Sequence, residues 1–173
     1  MTTNDNIIRV LIVDDHKMVR KGLIVLLEDF EDIEIIGDVK DGELAYQHCQ
    51  QSCPDVVLMD MVMTRMDGIE ATKRIRQACP QTQVIALTSF SEEDNVQDML
   101  QAGAIGYLLK DISGDELADA IRRANQGETT LDHTATQVLI QATVRPPSLG
   151  HNLTERELEV LALMIKGLNN REI

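Results

Sequence analysis

Five short apolar runs alternate with five longer segments of helical periodicity across the first 127 residues, and few folds accommodate that order. The runs are Ile8 to Val13, Ile33 to Val39, Asp55 to Asp60, Gln83 to Leu87 and Ile105 to Leu109. Between them, His16 to Asp29 carries Val19, Leu23, Leu26 and Leu27 on one helical face. Gly42 to Ser52 is a second helix, and Asp67 caps a third that runs to Ala78, before Pro80. Glu92 to Ala102 is a fourth, stopped by Gly103, and Ser113 caps a fifth that ends near Gly127. Strict β–α alternation predicts a parallel sheet with helices on both faces, and runs that are apolar throughout suit strands buried on both sides. Right-handed crossovers bring the C-terminal ends of all such strands to one edge, where open α/β sheets bind their ligands.

Five polar residues fall at that edge: Asp14, Asp15, Asp60, Thr88 and Lys110 each sit at or just past the end of an apolar run. A single Asp after a strand is ordinarily a turn or cap residue, and a single Lys there is ordinarily solvated. Five at one edge are a different matter. Three converging carboxylates repel one another unless a cation joins them. Mg2+ takes about six oxygen ligands, commonly one or two carboxylates plus phosphate oxygens and water. Lys110 and the Thr88 hydroxyl can hold the oxygens of a phosphoryl group, and Asp60, placed centrally, is the candidate nucleophile, since a carboxylate can form an aspartyl-phosphate.

A net charge of -13 argues against nucleic-acid binding through the overall field. The N-terminus has no basic end followed by an apolar stretch and no run reaches membrane-spanning length, so the expected location is the cytoplasm with no membrane partner. Cys49, Cys53 and Cys79 are then expected to be reduced. A zinc site from His48, Cys49 and Cys53 matches no familiar ligand spacing.

Five segments carry a family resemblance: Val13-Asp14-Asp15-His16, Leu58-Met59-Asp60-Met61, Met66-Asp67-Gly68, Leu87-Thr88-Ser89-Phe90, and Gly103 to Lys110. Their order and spacing resemble the receiver domains of two-component response regulators over residues 7 to 127. Leu153-Thr154-Glu155-Arg156-Glu157-Leu158 followed by Gly167-Leu168-Asn169-Asn170-Arg171-Glu172-Ile173 resembles the start of a LuxR-type helix-turn-helix domain. Together they place the chain beside the NarL/LuxR class, and His16 to Arg20 with the Thr88-Ser89-Phe90 turn is similar to the cell-envelope-stress subgroup of LiaR and VraR. The resemblance implies a flavodoxin-like five-stranded parallel sheet in the order 2-1-3-4-5, with a short all-α remnant after it. It implies that Asp60 accepts a phosphoryl group from a sensor histidine kinase. Asp15, Asp60 and the Val62 carbonyl would bind Mg2+, with Asp14 acting directly or through water. Thr88 and Lys110 would contact phosphoryl oxygens, and Thr88 and Tyr107 would form the switch pair; a Tyr107 merely packed in its strand is the plainer alternative. On this reading the protein is a switch with Mg2+-dependent self-phosphorylation and slow self-dephosphorylation rather than an enzyme. Two departures stand out: Thr64 and Asp111 occupy positions where many receivers carry proline. A cis bond before Asp111 would cost about 3 kcal/mol, so trans is expected.

The expected organisation is a receiver over 1–127, a linker with one helix from His133 to Val144 over 128–150, and an incomplete LuxR-type domain over 151–173. Thr154 and Glu157 form a capping box there. The segment from Leu153 holds Arg156, Lys166 and Arg171 against four glutamates, and no recognition helix follows. Promoter DNA is thus an expected partner of the full-length protein and not of this chain. On the first helix Met18, Gly22 and Val25 form a stripe, read either as the edge of the core or as part of a phosphorylation-dependent homodimer contact. Two other functions compete. A haloacid-dehalogenase-like phosphotransferase needs a second Asp two residues after the nucleophile, where this chain has Val62. A stand-alone adaptor would not need the LuxR-type start.

Overall fold

The computed structural model describes residues 7–89, 96–131, 133 and 135–137. Among these residues six strands, β1 (Ile8–Val13), β2 (Ile33–Val39), β3 (Val56–Asp60), β4 (Gln83–Thr88), β5 (Gly106–Leu109) and β6 (Thr130–Leu131), alternate with α1 (Lys17–Leu27), α2 (Gly42–Ser52), α3 (Gly68–Ala78), α4 (Val96–Gln101) and α5 (Gly114–Asn125). All pairings are parallel and the strand order is β2-β1-β3-β4-β5-β6. The first five strands stand in the expected order. The sixth lies in what the sequence presents as linker: two residues cannot show a periodicity, and Gly127, at φ +80°, turns the chain back along the β5 edge.

The apolar runs divide by parity. Leu11, Val13, Val57, Met59, Val84, Ala86 and Tyr107 face α2, α3 and α4. Val10, Ile12, Val56, Leu58, Ile85, Leu87 and Leu108 face α1 and α5. Both faces are dry, which is why alternation with polar residues is missing from the strands.

The helix starts follow side-chain chemistry. Asp41 accepts from the Leu44 amide at 2.9 Å and Asp67 from the Glu70 amide at 2.8 Å. Ser113 and Glu116 form a reciprocal capping box on α5. His16 precedes α1 without a side-chain cap bond. Leu26 departs from expectation: Leu23 and Leu27 are buried, whereas Leu26 is 39 % exposed beside Met18 at 79 % and Val25 at 64 %. The stripe on α1 is therefore exposed surface rather than core edge. The Phe90 turn residue, the first turn of the fourth helix and everything expected after 137, the LuxR-type start included, lie outside the described residues.

Candidate phosphoryl-acceptor site

Asp60 is the last residue of β3, paired with Leu87 of β4, and is 2 % exposed. Its backbone is held from below by α3. The Gly68 amide donates to the Met61 carbonyl at 3.0 Å, and a Cβ on Gly68 would collide with the Asp60 carbonyl oxygen. Glycine is needed there for close approach of two backbones.

Asp14 and Asp15 follow β1. Asp14 is 1 % exposed; its amide donates to the Val39 carbonyl at 3.1 Å, and its Oδ1 accepts the His16 amide at 2.7 Å. Arg20, one turn into α1, donates through Nη1 to the Asp14 carbonyl at 2.7 Å and through Nε to Asp38 Oδ2 at 2.7 Å. The acidic turn is thereby tied to both α1 and β2. Asp15 is half-buried and its Oδ1 lies 2.7 Å from His16 Nδ1.

Lys110 follows β5, and its amide donates to the Thr88 carbonyl at 2.8 Å. Its Nζ sits 2.8 Å from Asp14 Oδ2 and 2.8 Å from Asp60 Oδ1. Burial lowers the lysine pKa, but hydrogen bonds and charge from Asp14 and Asp60 together outweigh it, and the net shift is upward. Lys110 is an ammonium throughout the neutral range. Thr88, at the end of β4, is buried, with its hydroxyl donating to the Ser89 carbonyl at 3.0 Å. Tyr107 is 2 % exposed and packs in the cluster beneath α2, α3 and α4. Val62 lies in the loop after β3, its side chain exposed between buried Met61 and Met63. That loop contains Arg65 at φ +78°, and the bond before Asp111 is trans as expected.

The donor set fits a hard divalent cation. Ligand atoms of Asp14, Asp15, His16 and Asp60 lie within 4.8 Å of one another. Asp14 Oδ2 and Asp15 Oδ1 are buried and accept no well-aligned hydrogen bond, although each has an ion-pair neighbour. Carboxylate oxygens in that condition suit a metal ion better than they suit a solvated turn. By contrast Cys49 lies in the core, where burial, with Cys79 and Cys53 nearby, pushes its thiol up to about 12.

The edge brings together Asp14, Asp15, Asp60, Thr88 and Lys110. Sequence reasoning did not foresee His16, Arg20 or Gly68 as parts of the site. Arg20 stands one helical turn beyond His16, a spacing that could have suggested a tie to the acidic turn.

The response regulator receiver domain family matches residues 10–122 of the chain. The chain is similar to the transcriptional regulatory protein LiaR of Bacillus subtilis, 45 % identical over 172 residues, covering 96 % of this chain and 80 % of that protein. It is similar to the response regulator protein VraR of Staphylococcus aureus, 40 % identical over 166 residues, covering 96 % and 79 %. Among solved structures it resembles a LuxR-family two-component response regulator from Aurantimonas, with a TM-score of 0.73 and 29 % identity over 79 % of this chain and 98 % of that one.

Proposed function

The chain belongs to the response regulator receiver family, in its NarL/LuxR class, and from that premise we propose that Asp60 accepts a phosphoryl group from a phosphohistidine of a sensor histidine kinase. The observation that carries the assignment is the Lys110 ammonium held 2.8 Å from both the Asp14 and the Asp60 carboxylates at the C-terminal edge of the sheet.

Attack by an Asp60 carboxylate oxygen forms a P–O bond as the P–N bond to the kinase imidazole breaks. Such transfer has a loose transition state, so positioning and electrostatics carry it. Lys110 is the group that follows the charge: as Asp60 becomes an acyl phosphate, its ammonium can pass from the carboxylate to a phosphoryl oxygen. The Thr88 hydroxyl turns from the Ser89 carbonyl to donate to a second phosphoryl oxygen. Asp15 and Asp60, with the Val62 carbonyl and Asp14 directly or through water, would hold Mg2+. The ion's chemistry is to neutralise charge on the phosphoryl oxygens and orient them. Arg20 and Gly68 fix the backbones of Asp14 and Asp60 and act by positioning. Self-phosphorylation from small donors and slow hydrolysis of Asp60-phosphate follow from the same groups.

We assign the switch to Thr88 and Tyr107, neighbours in adjoining strands, with Ala86 paired to Tyr107 and Thr88 to Leu109. Output is transcriptional and cytoplasmic, through promoter binding in the full-length protein by the LuxR-type domain whose start lies at 151–173. Phosphorylation drives homodimer formation, for which the exposed Met18, Gly22, Val25 and Leu26 surface of α1 is the proposed contact. We take the receiver to span 1–127 together with β6, which completes the sheet.

Phosphoramidate presents the same P–N bond as a phosphohistidine. With it and Mg2+, 31P NMR is expected to show an acyl-phosphate resonance that builds up slowly in Lys110→Ala and Thr88→Ala. Wild-type rates in Lys110→Ala would contradict the role given to the ammonium.

A further inference from the structure

Three thiols lie where α2 and α3 end, at the sheet edge opposite Asp60, and nothing in the phosphoryl chemistry uses them. Cys49 and Cys79 are buried, and Cys53 is exposed. One carbonyl gathers them. The Cys49 oxygen accepts the Cys53 amide at 2.8 Å and the Cys79 thiol at 3.2 Å. The Cys79 sulfur is thus packed against the carbonyl that also holds the Cys53 backbone. Cys53 is the C-cap of α2 at φ 39°, ψ 75°, a left-handed position that favours glycine, and Cys79 is the C-cap of α3. Both ends are anchored. The Thr82 hydroxyl donates to the Pro54 carbonyl at 2.7 Å and the Gln83 amide to the Asp55 carbonyl at 2.8 Å, so the segments after the two cysteines run side by side.

We propose that Cys53 and Cys79 are a reversible oxidation site, closing an intrachain disulfide when the protein meets a hydroperoxide. Cys53 is the peroxide-reactive sulfur, because it is exposed while Cys79 is 4 % exposed. The Cys53 thiolate attacks the distal peroxide oxygen; an S–O bond forms, the O–O bond breaks and the alcohol or water leaves. The Cys79 sulfur then attacks the Cys53 sulfenic acid, forming S–S and breaking S–O, and its proton leaves in the water released. Two thiols lose two electrons and the hydroperoxide gains them. Burial, with Cys53 nearby, pushes the Cys79 thiol up to about 11. The proposal leaves Cys49, 0 % exposed, reduced. The bridge would tie the end of α2 to the end of α3 and leave the Asp60 edge untouched.

The test treats the full chain with hydrogen peroxide, alkylates remaining thiols in denaturant and digests with trypsin. The Asp41–Arg65 peptide carries Cys49 and Cys53, and the Gln77–Lys110 peptide carries Cys79. The expected result is that these two peptides become linked, with a loss of about 2 Da and one alkylated thiol, that dithiothreitol reverses it, and that a 1,3-diketone traps sulfenic acid on Cys53 before the bridge closes. Cys53→Ser, at an exposed position, is expected to abolish the link. Linked peptides persisting in Cys53→Ser would assign the bridge to Cys49 and overturn the proposal. Unlinked peptides, whether from a Cys49–Cys53 bridge, an intermolecular Cys53 bridge or three alkylated thiols, would overturn it equally.

Discussion

Lys110 is the residue on which the site turns. Its ammonium compensates two carboxylates that are almost fully buried, so Lys110→Met leaves Asp14 and Asp60 facing each other without a cation. Breaking a buried pair from one side typically costs about 3–5 kcal/mol. Thermal unfolding of Lys110→Met is therefore expected to show a lowered Tm that Mg2+ partly restores; a Tm indifferent to Mg2+ would speak against carboxylates positioned for a cation. The variant should also lose about 100- to 1,000-fold in phosphorylation rate. The pH dependence follows from the raised lysine pKa. A group whose folded pKa is raised contributes its stability below the unfolded value, here 10.5, and loses it as pH climbs through the folded one. No lysine-dependent fall in stability or phosphorylation is expected between pH 6 and 9, and denaturation curves across that range check it. Gly68 makes a second point at this scale. Gly68→Ala sets a methyl against the Asp60 carbonyl, a backbone atom that cannot step aside, and an overpacking cost of about 1–3 kcal/mol is expected in urea unfolding.

At the scale of elements, α1 separates core from exposed surface. Leu23 and Leu27 face the sheet, and Met18, Gly22, Val25 and Leu26 face outward. A Cβ on Gly22 would meet nothing within 4 Å. Gly22→Ala should therefore stabilise the monomer by about 0.5–1 kcal/mol through helix propensity. If this face is the homodimer contact, the same methyl and Met18→Asp should both weaken dimers formed with beryllium fluoride and Mg2+ in sedimentation velocity. Unchanged dimerisation in Met18→Asp would remove α1 from the interface. Most elements were legible because their signals are local: β-branched runs, Asp67 and Ser113 caps, Gly103 as a stop. Leu26 was misplaced because a helix face read from spacing is wider than the strip the sheet covers, and residues i+3 and i+4 straddle its edge. β6 was not legible because its pairing with β5 is made across the sheet edge and leaves no pattern in two residues. The acidic edge was legible as positions at strand ends, but the distances that make it a site are tertiary: the ties from Arg20 and Gly68 cross between elements.

At the scale of the whole molecule, a sheet dry on both faces is held at its far end by Arg122 and Asp32, 90 residues apart, with Nε–Oδ2 at 2.7 Å and Nη2–Oδ1 at 2.9 Å. The guanidinium also lies over the Phe30 ring, 5.3 Å from its centre. The hydrogen bond from Arg122 is the main cause that lowers the Asp32 pKa, with burial opposing it. A lowered carboxylate pKa contributes stability above its unfolded value of 3.8 that disappears as pH falls through the folded value. Both side chains are more than a third exposed, so Arg122→Ala is expected to cost about 1 kcal/mol at pH 7 and progressively less below pH 4. At the other end of the sheet Asp60 is the proposed acceptor. The most direct test is intact mass after incubation with acetyl phosphate and Mg2+, wild type beside Asp60→Asn. A gain of about 80 Da, one phosphoryl group, in the wild type and none in the variant is predicted. No gain in the wild type, or a gain that survives Asp60→Asn, would contradict it.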